Sequence, residues 1–268
     1  MVQAMSKCPI CGFSREAPAF SARILNRYDV GYLHCPRCGL LQTEYPYWLD
    51  EAYNSPIADT DTGLVSRNIA ISKRLSCILF HLFDRQGRYG DIAGGYGLLT
   101  RLMRGVGFDF FWSDPHCQNL FAKGFEMSDG PAPYTAITAF EVLEHVYDPI
   151  EFLEQSLKKH NASTVIFSTD LYAGDPPLPG NWSYYSPETG QHISFYQTRT
   201  IHAMGERLSL YSYSCGRMHM LTDRRINRSV FAFLAGRWSN VLSEYVRLRM
   251  TSRNFADRDR LRDGINPH

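Results

Sequence analysis

Two short cysteine pairs constrain this chain more than any other feature. Cys8-Pro9-Ile10-Cys11-Gly12 and Cys35-Pro36-Arg37-Cys38-Gly39 repeat one pattern, with 23 residues between Cys11 and Cys35. C-x-x-C lets two thiolates from one tight turn face one ion, and the glycine after it permits the positive φ of such a turn. Two knuckles supply four sulfurs, a donor set that suits tetrahedral Zn²⁺. A rubredoxin-like iron site uses similar knuckles; zinc is the expected ion. A closed site of four cysteines has no open coordination position, so Cys8, Cys11, Cys35 and Cys38 are expected to hold structure rather than react. Cys77, Cys117 and Cys215 stand alone and are expected to be small buried hydrophobes.

The rest of the chain is ordinary enough to fold. It has 268 residues, 44% hydrophobic and 21% charged, with 28 basic and 27 acidic side chains. Those fractions exclude wholesale disorder and collagen-like structure. The near-zero net charge gives no reason to expect a nucleic-acid coat protein. No apolar run reaches the ~18 residues of a membrane span. The first residues lack the apolar stretch of a secretory signal, so a cytoplasmic location is expected.

Four zones follow from patterning. Residues 1–45 are the zinc-binding module. Residues 46–83 are a connector and a helix, with Leu64, Ile71, Leu75, Ile78, Leu79 and Leu82 at three-to-four spacing. Residues 84–220 alternate strands and helices: strands at 88–93, 108–112, 134–140 and 164–168, helices at 96–106 and 149–160. Such alternation predicts an α/β fold with a doubly wound sheet. Residues 221–268 carry ten arginines, no lysine and five acids. Phe231, Leu234, Trp238, Leu242 and Tyr245 predict one apolar helix face there, and residues 253–268 are expected to be frayed or disordered.

The chemistry is expected at Asp91-Ile92-Ala93-Gly94-Gly95-Tyr96-Gly97, a turn between a strand and a helix. Glycines there let a ligand approach the backbone, and the helix start offers free N–H groups. Asp114 ends the next strand, where a carboxylate can accept two ribose hydroxyls. No Gly-Lys-Ser/Thr follows, so this is not a Walker loop. Asp91 would repel a pyrophosphate and fits a cationic ligand better.

These residues, with Trp112-Ser113-Asp114 and the segment Phe140-Glu141-Val142-Leu143-Glu144-His145-Val146-Tyr147-Asp148-Pro149, resemble the Rossmann-like S-adenosylmethionine-dependent methyltransferases. Trp182-Ser183-Tyr184-Tyr185 and Gln191-His192-Ile193-Ser194-Phe195-Tyr196 are similar to the sugar C-methyltransferases that carry a small zinc-binding module. The resemblance implies S-adenosylmethionine as cofactor. Asp91, Ala93, Gly94 and Gly95 would line its methionine part, Asp114 would hold its ribose, and Phe140 and Glu141 would lie near the sulfonium. Ala93 stands where the superfamily's first glycine usually lies; an alanine there is expected at negative φ.

The acceptor implied is a small molecule, such as a nucleotide-linked sugar or another saccharide. His192, His145 and Glu144 are the catalytic candidates, because histidine titrates nearest neutral pH and a base assists removal of an acceptor proton. Each has a bland reading: His145 as a loop-fixing hydrogen bond, the aromatics around His192 as core. Glu141, Glu144 and His145 could also hold a divalent cation, although two carboxylates are few for a hard ion. Two other functions compete. One is methylation of RNA, for which the arginines of the module form no dense basic stripe. The other is a non-catalytic scaffold that keeps the fold.

Overall fold

A computed structural model describes residues 6–53, 62–128, 130 and 132–264. The expected connector falls partly outside these residues, at 54–61. The chain divides into two compact units. One holds residues 1–58, 141–155 and 167–224; the other holds 59–140, 156–166 and 225–268.

The first unit begins with β1 (Ser6–Lys7) and β2 (Ser14–Arg15), an antiparallel pair. β3 (Phe20–Ile24), β4 (Tyr28–His34) and β5 (Leu41–Thr43) form an antiparallel sheet, extended by β10 (Ser194–Phe195) in the order β10-β5-β4-β3. The short α1 (Leu49–Ala52) follows. The aromatics around His192 are largely core. Tyr32, Trp48, Tyr184, Tyr185 and Phe195 are buried together with Ile24, Val30, Leu41 and Ile193. Phe20 stacks on Tyr32 at 4.8 Å, and Tyr185 meets Phe195 edge-on at 4.9 Å. Each such ring buries a large apolar area and gains about 0.5–1.5 kcal/mol more from its neighbours. The indole of Trp48 donates to the Gly190 carbonyl at 2.8 Å, so its polar end is satisfied. α5 (Thr198–Arg207) starts with a capping box between Gln197 and Thr200. An antiparallel hairpin, β11 (Tyr211–Cys215) and β12 (Met218–Thr222), closes the unit.

The second unit is the parallel α/β part. α2 (Leu64–Leu82) buries Ile71, Leu75, Ile78 and Leu79, the face the periodicity predicts. β6 (Arg88–Ile92) pairs in parallel with β7 (Asp109–Ser113) on one side and β8 (Ala136–Ala139) on the other. β9 (Thr164–Ser168) lies beyond β8. Every residue of β8 and β9 is buried, as expected for parallel strands covered on both faces. α3 (Leu98–Val106) packs on β6 and β7, and α2 packs on α3. α4 (Pro149–Lys159), whose first seven residues belong to the first unit, opens on a proline, which suits the first helical turn. The mixed α/β class with a parallel sheet is therefore as the sequence predicts.

The C-terminal zone departs from expectation in two ways. The apolar face does not run as one stripe. α6 (Arg228–Ala235) buries Phe231 and Leu234, but Gly236 ends it, and α7 (Ser239–Arg249) buries Ser239, Ser243 and Val246 instead. Trp238 and Tyr245 are exposed. Residues 254–262 are not frayed: they form α8 (Asn254–Arg262). Its Asp257 accepts from the Arg104 guanidinium at 2.7 and 2.8 Å and also pairs with Arg101. Arg104 is 1% exposed, bonded to Asp109 and lying 3.8 Å over the Phe125 ring. A polar sequence hid this helix, because charge pairing rather than apolar area anchors it. Among the lone cysteines, only Cys77 is fully buried; Cys117 and Cys215 are half-buried. No helix among the described residues is long and apolar enough to cross a membrane.

Candidate functional site

In the second unit the expected cofactor turn sits at the C-terminal end of β6, the end where open parallel sheets bind ligands. Parallel register sets Asp91 beside Trp112 on β7 and Thr138 on β8. The Thr138 hydroxyl donates to Asp91 at 2.6 Å. Asp91 is 3% exposed, and burial pushes its carboxyl up to about 7, with the Asp114 charge adding to the rise and the Thr138 bond opposing it. The turn is pinned at three points to β7 and to Asp114 just after it. Gly94 N–H donates to the Ser113 carbonyl at 3.1 Å, the Trp112 indole donates to the Gly95 carbonyl at 2.9 Å, and Gly95 N–H donates to Asp114 at 2.8 Å. The second oxygen of Asp114 accepts from the N–H groups of His116 and Cys117. α3 begins at Gly97 with no side-chain cap.

Ala93 corrects the sequence reading. Its φ is +59°, in the left-handed region, not negative as expected. That conformation costs an alanine roughly 1–2 kcal/mol. The hydrogen bonds on either side hold the turn in spite of that cost.

In the first unit the segment after β8 forms a second polar cluster. Glu141 has φ +56°, its N–H donates to Ser168 Oγ at 2.9 Å, and its carboxylate pairs with Arg217 at 2.9 Å. Arg217 also pairs with Asp170 at 2.7 Å. Glu144 is fully buried; its Oε1 accepts from the Tyr184 hydroxyl at 2.7 Å, while Oε2 takes no hydrogen bond. Burial raises the Glu144 carboxyl to about 8, with the Glu141 charge adding to it. Nδ1 of His145 lies 3.1 Å from the Gln191 carbonyl, and Nδ1 of His192 lies 2.6 Å from the Tyr184 carbonyl. Their rings meet edge-on at 4.8 Å. Burial lowers both, His145 to about 3 with help from His192. Both imidazoles are therefore neutral at neutral pH.

The three catalytic candidates thus come together, and Glu141 turns away from them to Arg217 and Ser168. A cation set of Glu141, Glu144 and His145 is not what forms; His192 takes the place of Glu141. Tyr184 lies in a segment singled out above, but its bond to Glu144, and the roles of Arg217 and Ser168, are not readable from spacing. The one available hint was Cys215-Gly216-Arg217, a hairpin turn with Gly216 at φ +57° that presents the arginine.

The four knuckle cysteines also converge in the first unit. Each sulfur lies within 4.8 Å of the others, with Cys8 to Cys38 and Cys11 to Cys35 both at 3.5 Å. A tetrahedron with Zn–S bonds of about 2.3 Å has edges of about 3.8 Å, so the spacing fits such an ion. The two turns are built alike. Gly12 N–H donates to Cys8 and Gly39 N–H to Cys35, at 2.9 and 2.8 Å, with φ of +71° and +77°. The Thr200 hydroxyl and the Arg199 guanidinium, at the start of α5, brace the second knuckle through the carbonyls of Cys38 and Pro36.

A family model described as a methyltransferase domain matches residues 67–211, more than half of the chain. The chain belongs to this methyltransferase family. It carries a methyltransferase domain, as the resemblance implies. Among curated proteins none matches the sequence. Similar solved structures are distant. An O-methyltransferase family 2 protein from Planctomyces limnophilus in complex with apigenin is 12% identical, covering 66% of this chain and 65% of that one, with a TM-score of 0.43. An O-methyltransferase family protein from Burkholderia thailandensis is 16% identical, over 66% and 67%, with a TM-score of 0.43. CalO1, a calicheamicin-biosynthesis methyltransferase bound to S-adenosylhomocysteine, is 12% identical, over 63% and 59%, with a TM-score of 0.42. The chain thus spans about two thirds or less of these proteins' lengths, and the family assignment rests on the domain match alone.

Proposed function

We propose that the protein transfers a methyl group from S-adenosylmethionine to a small-molecule acceptor, a saccharide such as a nucleotide-linked sugar. The observation that carries this reading is the corner of Asp91, Gly95 and Asp114. Asp91 is a buried carboxylate suited to a cationic ligand, and Asp114, tied to the turn through Gly95 N–H, is assigned the ribose hydroxyls. Phe140 and Glu141, next in the chain after β8, belong to the same assignment. When bound, the cofactor supplies a methyl group already activated by its positive sulfur.

The chain's own part is orientation and proton handling. Orientation alone supplies about 7–11 kcal/mol of such a barrier. The reading gives the acceptor's proton to His192, with His145 and Glu144 as its partners. A carbonyl can only accept, so Nδ1 of each histidine carries hydrogen and Nε2 keeps a lone pair. A neutral imidazole of this tautomer is a base at neutral pH. Such a base serves an acceptor that must lose a proton, a hydroxyl or an enolisable carbon. The sugar acceptor rests on the likeness of the Gln191–Tyr196 segment and the paired knuckles to the sugar C-methyltransferases. The four cysteines are assigned one structural Zn²⁺.

RNA as acceptor has less support. Of the module's arginines, Arg15 is buried against Gln42, Arg23 donates to the Asn26 carbonyl, and Arg27 pairs with Glu51. The test is His192→Ala assayed against a panel of nucleotide sugars. Turnover is expected to fall about 10²–10⁴-fold with cofactor affinity unchanged. Equal loss of both would make His192 a structural residue.

A further inference from the structure

In the second unit, α7 turns its apolar side outward. Its inward face is Ser239, Ser243 and Val246, and both serine hydroxyls donate to backbone carbonyls, of Gly236 and Asn240. At 100° per residue, Val241, Tyr245 and Leu248 share the opposite face within about 60° of one another. All three are exposed, Leu248 at 85%. An ordinary surface helix turns such a stripe toward the core. α6 extends the stripe: Val230 and Phe233 are exposed, and the Phe233 ring lies 6.2 Å from that of exposed Trp238. Large apolar side chains grouped in this way mark a binding face, whereas scattered ones do not.

Charge decides what covers the face. Residues 225–250 hold five arginines, Arg225, Arg228, Arg237, Arg247 and Arg249, against one acid, Glu244. All five arginines are exposed, and among the described residues none pairs with a carboxylate. Arg247 and Arg249 fall on opposite flanks of the α7 stripe, and the Arg249 guanidinium lies 5.3 Å from the Tyr245 ring. Arg249 also lines a cavity of about 400 Å³ together with Arg85, Arg253, Thr251 and Ser252, and no carboxylate lines it. Arg85 precedes β6, so this cavity lies at the end of the sheet opposite the Asp91–Gly97 turn. Stripe and basic cavity therefore meet at Arg249.

We propose that α6, α7 and this cavity dock on an anionic phospholipid bilayer. The stripe lies at the boundary of headgroups and acyl chains, and the cavity receives a headgroup phosphate. Interfacial helices have this composition, with aromatic and aliphatic residues on one side and arginine at its edges. Arginine stems cover apolar surface while their guanidinium forks bond phosphate oxygens in pairs. Docking is peripheral, since no helix among the described residues is long and apolar enough to cross a membrane. A second copy fits the face less well. Two-fold pairing sets five arginines against five, with Glu244 alone to offset each set. RNA also fits less well, because Val230, Val241 and Leu248 offer no ring on which a base could stack. Docking is independent of methyl transfer.

The test uses the full chain and vesicles of phosphatidylcholine, alone or mixed with phosphatidylglycerol. Co-sedimentation is expected to show binding to the mixed vesicles roughly 10-fold tighter or more, and weaker in high salt. Brominated acyl chains should quench tryptophan emission in the unaltered chain, and Trp238→Phe should remove most of that quenching. Leu248→Asp and Arg249→Glu, both at exposed positions, should each weaken binding about 10-fold or more with Tm unchanged. Val241→Asp replaces either variant if it fails to fold. Absence of binding, equal binding to the two vesicles, or full binding by Leu248→Asp would overturn the proposal. So would a dimer in sedimentation equilibrium that Leu248→Asp dissociates, or single-stranded RNA bound more tightly than the mixed vesicles and indifferent to Leu248→Asp.

Discussion

Asp91→Asn should make the protein more stable and less able to bind its cofactor. In the folded chain the Asp91 carboxyl titrates near 7 instead of 3.8, because burial disfavours its charge. At 1.36 kcal/mol for each pH unit, that is about 4 kcal/mol against the charged form above pH 7. Asparagine keeps the acceptor that Thr138 bonds at 2.6 Å and removes the charge. Its amide hydrogens need partners, which returns about 1–3 kcal/mol of the gain. A net gain of about 1–3 kcal/mol should raise Tm by several degrees. The same change removes a charge-assisted contact to a cationic ligand, about 1.5–3 kcal/mol, or about 10- to 150-fold in Kd. The sign of the pH dependence follows from the raised value. Between 3.8 and about 7 the folded chain binds more protons than the unfolded one, so this carboxyl lowers stability as pH rises through that window, and the variant loses the slope. Thermal unfolding across pH and calorimetry with S-adenosylmethionine read both effects. A lower Tm with unchanged cofactor affinity would refute the reasoning.

Cofactor binding to the unaltered chain should release most of one proton at pH 6 and almost none at pH 9, since a cation favours ionised Asp91; calorimetry in buffers of different ionisation enthalpy counts it. Ala93→Gly should relieve the strain of φ +59° and stabilise by about 0.5–1 kcal/mol, read as a small rise in Tm. Asp257→Ala should cost about 3–5 kcal/mol, because it leaves Arg104 buried without its main partner; denaturant unfolding measures this, and a loss below ~1 kcal/mol would contradict the anchoring role of α8. Cys8→Ser should remove one equivalent of zinc from the purified protein and lower Tm, as metal analysis and thermal unfolding would show.

Much of the parallel part was legible because its signals are local. β6, α3, β7, β8, α4 and β9 lie within a few residues of where the strand and helix patterns put them. The turn at Asp91 to Gly97 was legible for the same reason. The two knuckles were legible because one pattern occurs twice. Conformation at Ala93 was not, because the bonds from Gly94 and Gly95 to β7 override the preference of an isolated alanine. α8 was missed because its anchor is one carboxylate, Asp257, meeting Arg104 from 153 positions earlier. Pairing of this kind leaves no periodic trace. Glu144 and His145 stood out as a motif, yet their link to His192 runs through the Tyr184 and Gln191 carbonyls, which no spacing rule reports.

The most direct test of the account is binding of S-adenosylhomocysteine to the full chain by calorimetry, beside Asp114→Ala. The account predicts one site per chain, weakened at least 10-fold in the variant, which lacks the carboxylate proposed to accept the ribose hydroxyls. No binding at millimolar ligand, or equal binding by both proteins, would contradict it.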